Sequence, residues 1–361
     1  MSKKSSVAEP AWLDVGEVID KYAEKGINFF YFCGGRGIGK TYSCLDYCYK
    51  LGTHQRTIDW TLENEKFIYL RRSKVQAETC GLISSSPFKV YNRNNNLAIT
   101  PTFNSQLGYG DFFLDREKTT HIGYLCALST FQNLRGIDFS DVTFILYDEC
   151  IAEDGSKAQF KNEGRTLLNL YETVNRNRII EGRPECILVL LSNPIDLSND
   201  LLAQLDFTKI LSNMIVKGQQ RYTDYDRSLH IEKLVNHGIS RDKAKGALYK
   251  FAPQDFADQS LTGDFTDNDF SLVDKSIRLD EYYPLINCEI CCVYRHKSLE
   301  RYHISSILQK AKFNFTALQR EAVRDMFYFK YKLLVLNRIV TYETYQVKYV
   351  FENFIRYKQP L

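Results

Sequence analysis

Apolar runs separated by polar or glycine-rich sequence set the rhythm of the first 200 residues. They are Ile27–Cys33, Lys66–Arg71, Ile122–Leu128, Val142–Tyr147 and Cys186–Leu191. These runs are continuous rather than alternating, which is the pattern of strands covered on both faces and therefore of a parallel sheet. Helical patterns lie between them. Residues 12–25 read as an amphipathic helix, and Tyr42–Leu51 as the helix after the first strand. Leu167, Leu170, Tyr171 and Val174 make an i, i+3, i+4, i+7 stripe that predicts a core-facing helix. Repeated strand-plus-helix units of this kind predict an α/β fold with a mainly parallel sheet.

Two stretches break the rhythm. Phe88–Thr100 alternates around Asn94-Asn95-Asn96, which predicts an inserted hairpin with a solvated or DNA-facing tip. Tyr222–Phe251 is polar and predicts helix, with Ser240 as an N-cap, and Ala252–Ser271 is acidic and rich in turn residues. The expected organisation is therefore three parts: residues 1–220, a helical linker over 221–262, and a smaller α+β domain over 263–361.

The strand ends carry the chemistry. Ile27–Cys33 runs into Gly34-Gly35-Arg36-Gly37-Ile38-Gly39-Lys40-Thr41, which fits the phosphate-loop spacing G-x-x-x-x-G-K-[ST]. Such a loop turns its backbone N–H groups onto phosphate oxygens, while the lysine reaches the β- and γ-phosphates. Thr41 would hold Mg²⁺, and Tyr42 opens the helix whose N-terminus faces the phosphates. The fourth run ends in Asp148-Glu149. Asp148 is placed to hold Mg²⁺ through water and Glu149 to polarise the attacking water. Asn193, just past the last run, stands where a γ-phosphate sensor would lie. The pair of motifs predicts ATP hydrolysis rather than nucleotide binding alone.

Composition narrows the setting. The net charge of the 361 residues is only +3, so any nucleic-acid surface must be local. No apolar run approaches a membrane span, so no membrane role is expected. The ten cysteines are scattered, many of them inside the strand-like runs, and read as buried thiols. Cys288, Cys291 and Cys292 have no second ligand pair at regular spacing and read as strand rather than zinc site. From Arg295 to Leu361, thirteen Lys and Arg oppose five Asp and Glu, with aromatics interleaved. That mixture suits a nucleic-acid or acidic-partner surface, although most of the aromatics taken singly would be core.

Four stretches together resemble a known family: GGRGIGKT, KFIYLRR, FILYDE, and LLNLYETVNRNR followed by CILVLLSNP. Arg36 inside the phosphate loop and Leu134-Arg135-Gly136 ahead of the FILYDE strand add to the likeness. The sequence is similar to the small DNA-packaging ATPases, or encapsidation proteins, of Bacillus-type podophages. The resemblance is good over about the first 200 residues and loose beyond. It implies an ASCE-type P-loop ATPase related to large terminases, using ATP and Mg²⁺ to drive double-stranded DNA into a procapsid. It implies a homo-oligomeric ring, a pentamer by that likeness, on the portal, with a packaging RNA as a further partner. The location implied is the host cell cytoplasm, in transient attachment to the procapsid, and the C-terminal domain would be a degenerate RNase H-like nuclease.

The same resemblance places an arginine finger in the segment holding Arg176 and Arg178. Arg178 continues the buried stripe four residues beyond Val174, whereas Arg176 points nearly opposite. Arg176 is thus the first candidate to act in trans, Arg178 the second, and Arg135 a further γ-phosphate contact. Two other readings compete: a large terminase with a live C-terminal nuclease, and a nucleotide-switched scaffold that binds RNA through its basic tail.

Overall fold

The computed structural model describes residues 12–134, 136–151, 162–193, 197, 199–252, 257, 260–261 and 272–355. Two compact units divide the chain. One comprises Met1–Asp196 and Met214–Thr266, the other Leu197–Asn213 and Asp267–Leu361.

The first unit is built on a nine-stranded sheet. Its parallel centre uses β1 (Phe29–Gly34), β2 (Lys66–Arg71), β5 (His121–Ala127), β6 (Val142–Tyr147) and β7 (Ile187–Ser192). The remaining strands are β3 (Thr100–Pro101), β4 (Tyr109–Phe113), β8 (Arg221–Asp224) and β9 (Leu229–Leu234), in the order β3-β4-β5-β2-β6-β7-β1-β9-β8. Strands β6 and β7 are buried along their whole length, as their unbroken apolar runs require. Strand β7 lies between β6 and β1, so the strand ending in Asp148 is not adjacent to the one ending in the phosphate loop.

Register decides what meets at the sheet edge. Leu70 pairs Tyr147, Tyr147 pairs Leu190, and Leu190 pairs Tyr31. One to three residues further along, these strands release Arg71, Asp148, Ser192 and Gly34 at one common edge. Against the sheet pack α1 (Val15–Ala23) and α2 (Lys40–Gly52), burying Val15, Ile19, Cys44, Tyr47 and Leu51 with Phe30, Phe32, Phe67 and Phe144. Short helix α3 (Lys74–Cys80) follows β2 under a Ser73–Gln76 capping box. Helix α5 (Glu163–Asn175) buries the expected stripe Leu167, Leu170, Tyr171 and Val174.

Three expectations fail. Residues 88–100 are not a hairpin: Lys89–Asn95 is a helix, α4, ended by Asn96 at φ +53°. Phe88 and Tyr91, three apart, are the buried pair, and Asn92 bonds both backbone groups of Ile99, so the asparagines finish a helix. Nor is 221–262 a helical linker. Its first part is the β8–β9 hairpin, and β9 extends the main sheet beside β1. The polar look of this stretch hid a buried strand whose charges satisfy one another. Glu232 takes Arg221 at 2.7 Å and His230 at 3.2 Å, and Thr223 meets His230 at 2.8 Å. After it, α8 (His237–Ala244) is capped by Asn236, not by Ser240, whose hydroxyl instead donates to the Leu261 carbonyl at 2.6 Å. Helices α6 (Asp200–Gln204) and α7 (Phe207–Val216) lie between β7 and β8 in sequence, and α9 (Ala247–Phe251) follows α8.

The second unit has a five-stranded sheet. It contains β10 (Tyr282–Asn287), β11 (Cys292–His296), β12 (Tyr302–Ser305), β13 (Phe313–Asn314) and β14 (Val340–Tyr342), in the order β13-β10-β11-β12-β14. The antiparallel meander β10–β12 is flanked by a parallel strand on each side. Helices α10 (Arg320–Leu336) and α11 (Tyr345–Ile355) cover the sheet, so Phe327, Tyr331, Tyr342, Phe351 and Phe354 of the basic tail are core. Phe329 is the exception among the aromatics of α10, 75% exposed. Among the described residues no helix is long and apolar enough to cross a membrane.

Candidate nucleotide site

The phosphate loop joins β1 to α2 at the C-terminal edge of the sheet. Two of its glycines are demanded by geometry. Gly39 has φ +104°, which side chains disfavour, and a Cβ on Gly34 would fall 2.4 Å from the Leu234 carbonyl of β9. Downstream sequence also braces the loop's apex. The Arg36 N–H donates to the Ser260 carbonyl at 3.1 Å, and Lys243 of α8 donates to the Arg36 carbonyl.

Lys40 is buried, and its ammonium donates to the carbonyls of Gly34 (2.7 Å) and Gly35 (2.8 Å) and to Asn193 Oδ1 (3.2 Å). Burial pulls this ammonium down to about 8 from its ordinary 10.5, since the charged form is poorly hydrated there. Thr41 Oγ1 donates to Asp148 Oδ1 at 3.1 Å, bridging the loop to the end of β6. Asp148 is buried and accepts from Tyr69 OH at 2.7 Å. Desolvation raises its carboxyl above the usual aspartate value, against the pull of Arg71. Glu149 follows at φ +49°, with its carboxylate ion-paired to Arg71 and a side chain 57% exposed. Arg71 is nearly buried. Burial works against its charge, but Tyr69, Asp148 and Glu149 outweigh that and hold it firmly protonated.

Lys40, Thr41, Asp148, Glu149 and Asn193, with Arg36, Gly37, Gly39 and Tyr42, line a single cleft of about 680 Å³. That volume suits a nucleotide. A hydroxyl and a carboxylate side by side are the hard oxygen donors that Mg²⁺ prefers, so the donor set fits the ion.

Not every expected residue reaches the site. Arg178 is buried, and its guanidinium donates to Asp59 (2.8 Å) and to the carbonyls of Ser140 (2.8 Å) and Val142 (2.7 Å). It ties the start of β6 to the loop before β2 and is not available to a neighbouring subunit. Arg176 is exposed where α5 ends, and donates to the carbonyls of Thr173 (3.0 Å) and Ile137 (3.4 Å). Helix α5 runs back from the Asp148 edge to the start of β7, so Arg176 lies at the sheet edge opposite its own phosphate loop. Arg135 lies outside the described residues.

Five contributors escaped the sequence reading. Tyr69 and Arg71 end β2 inside KFIYLRR, where two arginines closing a buried strand were the available signal. Trp12, 61% exposed, lines the cleft with Val90 and Asn94 of α4, and no motif marks any of the three.

Residues 20–291 match the sequence model of the podovirus DNA encapsidation proteins (Gp16). The chain belongs to that family. Among relatives, the DNA packaging protein of Bacillus phage PZA is 27% identical over 244 residues, which are 67% of this chain and 63% of that protein. The DNA packaging protein of Bacillus phage phi29 is 29% identical over 197 residues, 54% of this chain and 49% of that one. The chain thus spans about half to two-thirds of the length of these relatives. The same fold occurs in the phi28 gp11 DNA packaging motor, with TM-score 0.56 and 17% identity over 95% of this chain and 98% of that one. It occurs also in the phi29 genome packaging motor assembly, with TM-score 0.56 and 17% identity over 94% and 98%.

Proposed function

We propose that this encapsidation-family chain is an ATP hydrolase that drives double-stranded DNA into a viral procapsid. The observation that carries the reading is the Thr41–Asp148 hydrogen bond, which joins the phosphate loop to the acidic strand end beside Glu149. A loop without such a partner would only bind nucleotide.

In this reading the N–H groups at the start of α2 and the Lys40 ammonium hold the β- and γ-phosphates, replacing the carbonyls that Lys40 now contacts. Mg²⁺ held at Thr41 and Asp148 would neutralise charge on the phosphate oxygens. Asn193 orients Lys40 and reads the γ-phosphate side. Glu149 leaves Arg71 and accepts a proton from the attacking water.

Arg176 cannot serve its own site, being at the far edge of the sheet, and acts on a neighbouring subunit in a homo-oligomeric ring. The ring sits on the procapsid portal in the host cytoplasm, and the basic second unit contacts nucleic acid, including a packaging RNA. The test is ATP turnover against protein concentration. Specific activity should climb steeply as subunits assemble; constant activity down to dilute monomer would refute the trans arrangement.

A further inference from the structure

The phosphate end of the cleft is accounted for, but its other end presents apolar surface to water. Trp12 is 61% exposed, Val90 48% and Tyr42 36%, and all three face the same space. Their positions are built. Asp14 caps α1 and accepts from the Ser43 hydroxyl at 3.3 Å, while Ser43 Oγ accepts the Val15 N–H at 2.8 Å. These bonds fasten the start of α1 to α2 and set the indole over the phosphate loop, where a Cβ on Gly39 would meet Trp12 Cε3 at 3.4 Å. Across the cleft, the Tyr42 ring rests on Tyr91, centroids 5.3 Å apart, and its hydroxyl accepts from Asn95 at 3.1 Å.

The cleft has a direction. Asp148, Glu149 and Asn193 mark the γ-phosphate side, so the α-phosphate and the nucleoside attached to it leave past Gly39 and Tyr42 toward Trp12. A flat aromatic ring arriving there would cover indole, phenol and valine surface together. We propose that Trp12, Tyr42 and Val90 form a nucleobase clamp, with the Trp12 indole stacked on the purine. The inference rests on the phosphate-loop reading of the site. Stacking a base on an aromatic side chain strengthens binding by roughly 10-fold or more, with little preference among bases.

The chain has two tryptophans, so Trp60→Phe leaves Trp12 as the single reporter. In the full-length Trp60→Phe protein, ATP and ADP should change Trp12 emission strongly. Inorganic tripolyphosphate should bind with little change. By calorimetry, Trp12→Ala should lose about 10-fold or more in ATP affinity, keep tripolyphosphate affinity within about twofold, and be rescued by Trp12→Phe. Equal losses for ATP and tripolyphosphate would show that Trp12 only props the loop, and unchanged ATP affinity would exclude the clamp. If the parent protein bound neither ligand, the phosphate-loop reading would fail and take the clamp with it.

Discussion

Arg71 at the end of β2 holds Glu149 beyond the end of β6 in an ion pair, and the same guanidinium lies 3.5 Å from Asp148. One buried cation therefore restrains both acids of the site, one of them buried and the other exposed.

The asymmetry has a consequence for stability. Arg71→Gln leaves Asp148 buried without its cation and should cost about 3 kcal/mol, as broken buried pairs do. Glu149→Gln removes only the exposed end and should cost under about 1 kcal/mol. Thermal unfolding of the two variants compares them directly, and equal losses would mean that Arg71 is not supporting Asp148.

Lys40 and Glu149 should separate binding from turnover. Lys40→Ala should abolish nucleotide binding, whereas Glu149→Gln should bind ATP normally and lose turnover by a factor of about 10²–10⁴. Near wild-type hydrolysis by Glu149→Gln would remove the water-activating role.

The buried ammonium makes nucleotide binding sensitive to pH. Free Lys40 loses its proton near pH 8, and a polyphosphate stabilises the protonated form. Binding above that pH must take up a proton, so affinity should fall as pH rises beyond about 8. Calorimetry at pH 8.5 in buffers of different ionisation enthalpy would detect the uptake; identical heats would contradict it.

The two arginines after α5 should behave oppositely. Arg178→Ala strips Asp59 of a buried partner and should cost about 3–5 kcal/mol. Arg176→Ala should leave stability within about 0.5 kcal/mol yet lower the activity of assembled protein by a factor of about 10³–10⁵. Mixing Arg176→Ala with Lys40→Ala subunits should restore part of that activity, because each supplies what the other lacks. A co-assembled mixture as inactive as either parent would end the trans assignment.

The second unit carries its own acid sensitivity. Burial lowers His303 from 6.5 to about 4. The unfolded chain thus binds a proton that the folded one refuses, and stability from this group, full above pH 6.5, is lost as pH falls toward 4. The fall from 6.5 to about 4 corresponds to roughly 3 kcal/mol. The unfolding midpoint of His303→Gln should be less pH-dependent across that window; an unchanged slope would locate the sensitivity elsewhere.

What the sequence made legible was continuous and apolar. Val142–Tyr147 and Cys186–Leu191 are short apolar runs that read as strands covered on both faces, and the phosphate loop and Asp148-Glu149 declare themselves by spacing. What it hid was polar structure satisfied by partners on other elements. Glu232 and His230 look solvated until Arg221 and Thr223 are seen beside them, so β9 passed for helix. Arg178 looked like a spare cation because Asp59 is more than a hundred residues away. Helical periodicity did place Arg178 inward and Arg176 outward, though the helix stops at Asn175 and a turn with φ +43° completes the separation.

The proposed packaging role is tested most directly by DNA protection. Purified chain, procapsids with their portal, linear double-stranded DNA, Mg²⁺ and ATP should yield nuclease-resistant DNA inside particles, and the Glu149→Gln chain should dock on those procapsids yet protect none. Equal protection by Glu149→Gln, or brisk ATP turnover by the wild type on docked procapsids with all DNA left digestible, would contradict the account.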